Sequence, residues 1–326
     1  MNSVIDDTDR AGLDQVAARS LEKCMGARPG EQIGIVFDEK RRDIAEAFFR
    51  AGNFLGCETV AVEMVERERS GEEPPTVVSA LMEACDVVMA ITTKSLSHTA
   101  ARRNACSKGA RMASLPGITV DCALRTLAAD YASIKAFSEK LAELLTRGKQ
   151  VRVTNEAGTD ICLPVDGRTG LADTGDYTMK GSFGNLPAGE AFLAPVEGGS
   201  NGVIVFTSSI SGVGICEKPV RVTVENGFAT LIEGEAEARI LKGLLEPLGK
   251  NAFNVAELGI GTNDRAILTG NVLEDEKVLG TVHIAFGNNR GFGGNVDVPI
   301  HLDGMIIDPT VTIDGVMVME KGILVV

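Results

Sequence analysis

Apolar residues recur along the first half of the chain in two rhythms. Leu13, Ala17, Leu21 and Cys24 fall on one face of a helix, which Gly26 and Pro29 end. The run Ile33-Gly34-Ile35-Val36-Phe37 is too short for a helix and does not alternate, as expected of a strand buried on both faces. Ile44, Ala47, Phe48 and Ala51 mark the next helix, and Val60-Ala61-Val62 a second strand. A helix near 75–84 precedes a third strand, Val87-Val88-Met89-Ala90-Ile91, and a helix near 98–108 leads into Arg111-Met112-Ala113. Such strand–helix repetition predicts a parallel sheet covered on both faces. A long helix over 131–147, closed by Gly148, is expected to divide the chain into a parallel α/β domain, 1–148, and a second domain, 149–326.

Beyond that point the pattern shortens. Residues 150–155 and 160–165 alternate and flank Glu156-Ala157-Gly158-Thr159, a hairpin signal. Pro219–Glu225 and Phe228–Ile232 flank Asn226-Gly227, a strong two-residue hairpin turn. A helix near 234–247 follows, glycine is dense between 166 and 315, and 311–326 again reads as strands. The fold class expected is α/β, with the second domain an antiparallel-rich α+β unit.

Composition narrows the function. The chain has 326 residues and a net charge of −13, which disfavours phosphate backbones and anionic lipid as partners. Aromatic residues make up 4% with no Trp, so base-stacking platforms are not expected. No segment has the length and apolar continuity of a membrane span, and the start is polar and acidic, unlike a secretory signal. Seven scattered cysteines, none spaced as CxxC, suggest reduced thiols and a cytoplasmic location. No GxGxxG follows a strand and no GxxxxGK[ST] occurs, so no nucleotide cofactor is expected.

Of three histidines, His98 is assigned to structure or surface, while His283 and His301 lie in the glycine-rich half. His301 and Asp303 are two apart in a strand-like run and so share a face. An imidazole and a carboxylate placed so can share a divalent ion, and His283 would complete a two-His, one-carboxylate set. Asp303-Gly304 could equally be turn chemistry, with His301 its partner. Glu257, among apolar residues, is a further candidate that could equally be a capping or solvent-facing acid, and Glu190, after a Pro/Gly turn, is another, though taken alone an exposed loop acid is its simpler reading.

The ordered set NLPAGE, AELGIGTN, GTVHIAFGNN and IHLDG resembles the aminopeptidase T/aminopeptidase S family of metallo-aminopeptidases, over about the last 180 residues. The resemblance implies a cytoplasmic homodimer with two divalent ions, zinc, cobalt or manganese, on the second domain. It makes Glu190, Glu257, His283, His301 and Asp303 the ligands, with Glu257 bridging. Glu190 and Glu257 then serve the reaction as well, and Arg290 is the candidate to anchor a substrate carboxylate or an oxyanion. A small peptide is the implied substrate. The family's tyrosine soon after the histidine is missing: the stretch is Asn288-Asn289-Arg290-Gly291-Phe292.

The same superfamily includes 2,5-dihydroxypyridine 5,6-dioxygenase, a ring-cleaving enzyme with one Fe(II). That alternative would use His283, His301 and Asp303 as a facial triad. In the dioxygenase the position of Glu257 looks like a histidine and that of His283 is not one. Three carboxylates and two histidines therefore point to the dinuclear hydrolase, which is the expectation carried forward.

Overall fold

A computed structural model describes residues 5–325; residues 1–4 of the polar start and Val326, the end of the last strand-like run, lie outside them. The chain forms two compact units, the first from residues up to Ser133 plus Asp173–Ala188, the second from Ile134–Ala172 plus Gly189 onward. The chain thus passes between units three times, where a single division at Gly148 was expected. The helix Tyr131–Arg147 falls almost wholly in the second unit, and 173–188 returns to the first.

The first unit is the expected parallel sheet. Its strands run in the order Glu58–Glu63, Gln32–Phe37, Val87–Ile91, Arg111–Ser114 and Phe183–Asn185. Every neighbouring pair is parallel. The central strand Val87–Ile91 is buried along its whole length, which explains its unbroken apolar run. The fifth strand, Phe183–Asn185, comes from the glycine-rich half, where the periodicity is too short to announce it.

The second unit holds two antiparallel-rich sheets, of eight and seven strands. Both hairpins read from the sequence are present. Gln150–Thr154 pairs with Asp160–Pro164, and Val220–Glu225 pairs with Phe228–Glu233 across Asn226-Gly227, both at positive φ. The two sheets share one core. Val151, Val153, Ile161, Leu163 and Phe206 from the larger meet Leu258, Ile260, Ile284 and Phe286 from the smaller. Phe206 and Phe286 meet edge to face at 6.1 Å. All seven cysteines are free thiols. Among the described residues, no helix is long and apolar enough to cross a membrane.

Phe206 is fully buried between the sheets. Phe206→Ala should lower unfolding stability by about 3–5 kcal/mol, read as a reduced midpoint in urea denaturation at unchanged slope.

Candidate metal centre

Four neighbouring antiparallel strands of the smaller sheet carry the candidate residues: His301–Ile306, Val282–Gly287, Val255–Gly261 and Glu190–Leu193. Strand alternation sends Ala191, Leu193, Leu258, Ile260, Val282, Ile284 and Phe286 into the shared core. It sends Glu190, Glu257, His283, His301 and Asp303 to the other face. Register then brings them together. Asp303 stands opposite Ala285, which stands opposite Glu257 on its other side, so a small side chain separates two carboxylates. His283 stands opposite Gly259, where an added Cβ would lie 2.0 Å from its Nε2. Only a residue with no side chain lets the imidazole lie across that strand.

All five expected ligands converge. His301 Nε2 lies 3.2 Å from Glu257 Oε2 and 3.3 Å from Asp303 Oδ1. His283 Nε2 lies 3.2 Å from Glu190 Oε2 and 3.4 Å from Glu257 Oε1. Glu257 therefore offers one oxygen to each imidazole. The donors form two triples, Glu190–Glu257–His283 and Glu257–His301–Asp303, each with its atoms within 4.8 Å of one another. The triad expected from His283, His301 and Asp303 is not one of them. His283 pairs across the sheet with Met305 and His301 with Gly287, so the two imidazoles are offset along their strands: they share Glu257 but otherwise meet different acids, Glu190 and Asp303.

The triples suit a cation. Ligand atoms about 2.1 Å from an ion and at right angles to one another lie about 3.0 Å apart, close to these separations. Mixed imidazole and carboxylate donors are chemistry for a borderline or hard dication. The halves differ in their supports. His301 Nδ1 is 2.7 Å from the Asn288 carbonyl, which accepts its proton and leaves Nε2 to face the acids. His283 Nδ1 is buried and, among the described residues, has no hydrogen-bond partner.

A buried lysine, passed over in the sequence, enters the second half. Lys277 Nζ donates to Glu190 Oε1 at 2.5 Å and pairs with Glu276 Oε1 at 2.8 Å. Its position in the charged run Glu274-Asp275-Glu276-Lys277 resembles a solvated face; the signal that it is not is the apolar Leu273 and Val278 on either side. Asp275 fixes the segment by accepting from Ser209 Oγ and from the Thr269 and Gly270 N–H groups.

Arg290 is not part of this cluster. Its guanidinium pairs with Asp297 at 2.6 Å, and both side chains are exposed. The nearby aromatic that does reach the cluster is Phe292, whose ring meets His301 edge to face at 5.7 Å.

Charge compensation fixes the protonation pattern. Burial opposes charge on both imidazoles, yet the facing acids drive them well above the usual histidine range: Glu190 and Glu257 for His283, Asp303 and Glu257 for His301. Burial would raise Asp303, but His301 outweighs it and holds the carboxyl down at about 2. Glu190 is lowered against its burial by Lys277 and His283. Glu276 goes the other way: burial, with Glu190 and Asp303 adding to it against the opposing pull of Lys277, pushes it up to about 8.

A family model described as NicX: 2,5-dihydroxypyridine 5,6-dioxygenase matches residues 13–326. The chain belongs to this family. The NicX match takes in both units, beyond the last 180 residues that carried the sequence resemblance. The fold is shared with the 2,5-dihydroxypyridine dioxygenase of Pseudomonas putida KT2440, at TM-score 0.83 and 19% identity over 97% of each chain. It is shared also with AmpT of Thermus thermophilus, at TM-score 0.71 and 18% identity over 97% of this chain and 99% of that one. A search of curated proteins gives no match.

The NicX assignment corrects the aminopeptidase-like hydrolase expectation. The family model and the Pseudomonas neighbour are both dioxygenases, hence oxidoreductases.

Two outcomes test this geometry. In metal-free protein the raised histidines stabilise the fold fully below pH about 6.5, and that contribution is lost as pH climbs through their higher folded values. The depressed Asp303 contributes above about 3.8 and is lost as pH falls toward about 2. Thermal denaturation with EDTA should therefore show a midpoint falling from pH 6 to 9, and His301→Ala should flatten the slope. Gly259→Ala should displace His283 and, by disturbing the Glu257 carboxylate that the two triples share, lower the amount of divalent metal retained after dialysis, measured by elemental analysis.

Proposed function

We propose that this chain is an iron(II)-dependent dioxygenase that opens a hydroxylated pyridine or closely related ring. The observation that carries the reading is the Glu257–His301–Asp303 triple within a chain matched by the dioxygenase family model over residues 13–326. Glu257, His301 and Asp303 would hold one ion. When bound there, iron(II) supplies coordination positions left open by three protein ligands, and the electron transfer that oxygen chemistry requires.

The remaining residues do the work of holding and balancing charge. The Asn288 carbonyl fixes the tautomer of His301. Ser211 Oγ accepts the Asp303 N–H at 3.2 Å, and the Ser211 N–H donates to the Asp303 carbonyl, which fixes that strand position. Lys277 neutralises Glu190 beside His283, so this half carries its own cation. That support, with the unpartnered His283 Nδ1, favours one ion over the expected pair of zinc, cobalt or manganese. Glu276, pushed up to about 8, holds its proton near neutral pH and can act there as a proton donor.

The test is oxygen uptake. Protein loaded with iron(II) without oxygen should hold about one iron per chain. It should consume oxygen when given 2,5-dihydroxypyridine and lose that activity with EDTA. Asp303→Ala should bring uptake to background while the protein stays folded by circular dichroism. No uptake with any dihydroxypyridine by iron-loaded wild-type protein would refute the reading.

A further inference from the structure

Beside the acids and imidazoles of this face, two phenylalanines stand out. Phe192 lies two residues after Glu190 in the same strand and so projects from the same face. Phe292 reaches the same place from the segment after the Val282–Gly287 strand. Its ring is 5.7 Å from His301 at 90°, and 5.7 Å from Phe192 at 72°. The three rings form a continuous edge-to-face row that begins at a candidate metal ligand. Neither phenylalanine is a core residue: both are half-buried, whereas Phe206 and Phe286 fill the core behind the sheet. Aromatic residues are scarce in this chain, at 4%, which makes the row more notable.

Phe292 is also held in place. Asn289 anchors its segment at both ends. Its Nδ2 donates to Glu197 Oε1 at 3.0 Å, its Oδ1 accepts the Val296 N–H at 2.8 Å, and its carbonyl accepts the Gly294 N–H. Glu197 further accepts the Asn295 N–H at 2.7 Å and pairs with Arg168. A ring on a segment tied this often is pre-organised, so little ordering cost falls on binding.

We propose that Phe192 and Phe292 form the platform that selects a single flat, hydroxylated six-membered aromatic ring beside His301. The platform rests on the dioxygenase reading of the site and adds the residues that set its substrate class. A ring held by its hydroxyls at the acids and imidazoles presents its edge or face to Phe292, while an aliphatic diol has no π system to offer. Edge-to-face and offset contacts between such rings add to the apolar area they bury. Phe292 and Phe192 are specificity residues here; they carry no proton and no metal.

The experiment measures binding of 2,5-dihydroxypyridine to the iron-loaded protein under exclusion of oxygen, by absorbance titration, with cyclohexane-1,4-diol as a ring lacking π electrons. Wild-type protein should bind the pyridine and discriminate against the diol. Phe292→Ala should weaken pyridine binding on the order of tenfold, with iron content unchanged. Phe292→Leu, which keeps apolar bulk, should recover only part of the loss, and Phe292→Tyr nearly all of it. Equal pyridine affinity in wild type, Phe292→Ala and Phe292→Leu overturns the proposal. So does a loss of iron that parallels the loss of affinity, since Phe292 would then act only by holding His301. Wild-type protein that binds rings in this pattern without consuming oxygen would refute the dioxygenase reading and leave the platform standing; protein that binds no ring would refute both.

Discussion

A β-strand has two faces and one sequence, and the functional half of this protein is organised by that constraint. In the four strands bearing the candidate ligands, alternate residues are committed to the core shared with the larger sheet. The others are free to be chemically expensive. Val-His-Ile-Ala-Phe-Gly and Glu-Leu-Gly-Ile-Gly show the division directly: Ile284 and Phe286, or Leu258 and Ile260, secure the sheet while His283 and Glu257 face away. A slip of one residue in any of these strands would put an ionisable group into the core and an aliphatic one into the site. The core thus holds the site in register.

That division explains what the sequence disclosed. His301 and Asp303, two apart in a strand, were readable as one-face partners, and Glu190, Glu257 and His283 could be placed beside them through family motifs. The parallel sheet of the first unit was readable because strands buried on both faces are continuous in their apolar character. Cross-strand register was not readable, since it depends on hydrogen bonding between segments far apart in sequence. For that reason the grouping of His283 with Glu190, and the sharing of Glu257 between His283 and His301, emerged only in three dimensions. Lys277 was hidden for another reason: a lysine in an acidic run looks solvated unless its partners are known. Arg290 shows the converse, an attractive charge that the fold leaves on the surface with Asp297.

Buried charge sets the remaining balance. Glu190, Glu257, Asp303, His283 and Lys277 are all buried, and unpaired ions in such surroundings are costly. The cluster meets that cost by interleaving: each imidazole sits between two acids, and the lysine between Glu190 and Glu276. Glu276 absorbs what is left over by holding its proton to about 8. A dication would replace protons on the imidazoles rather than add to them, so metal affinity should be coupled to proton release.

The path of the chain between its two units bears on how such a protein can be divided or recombined. Residues 173–188 belong with the amino-terminal sheet although they follow a segment of the other unit. No single cut therefore yields two complete halves: a break at 148 would leave the parallel sheet without its last strand and strip the other unit of its long helix. Exchange of modules between related proteins by one crossover would fail on the same ground, and a viable graft must carry two discontinuous stretches together.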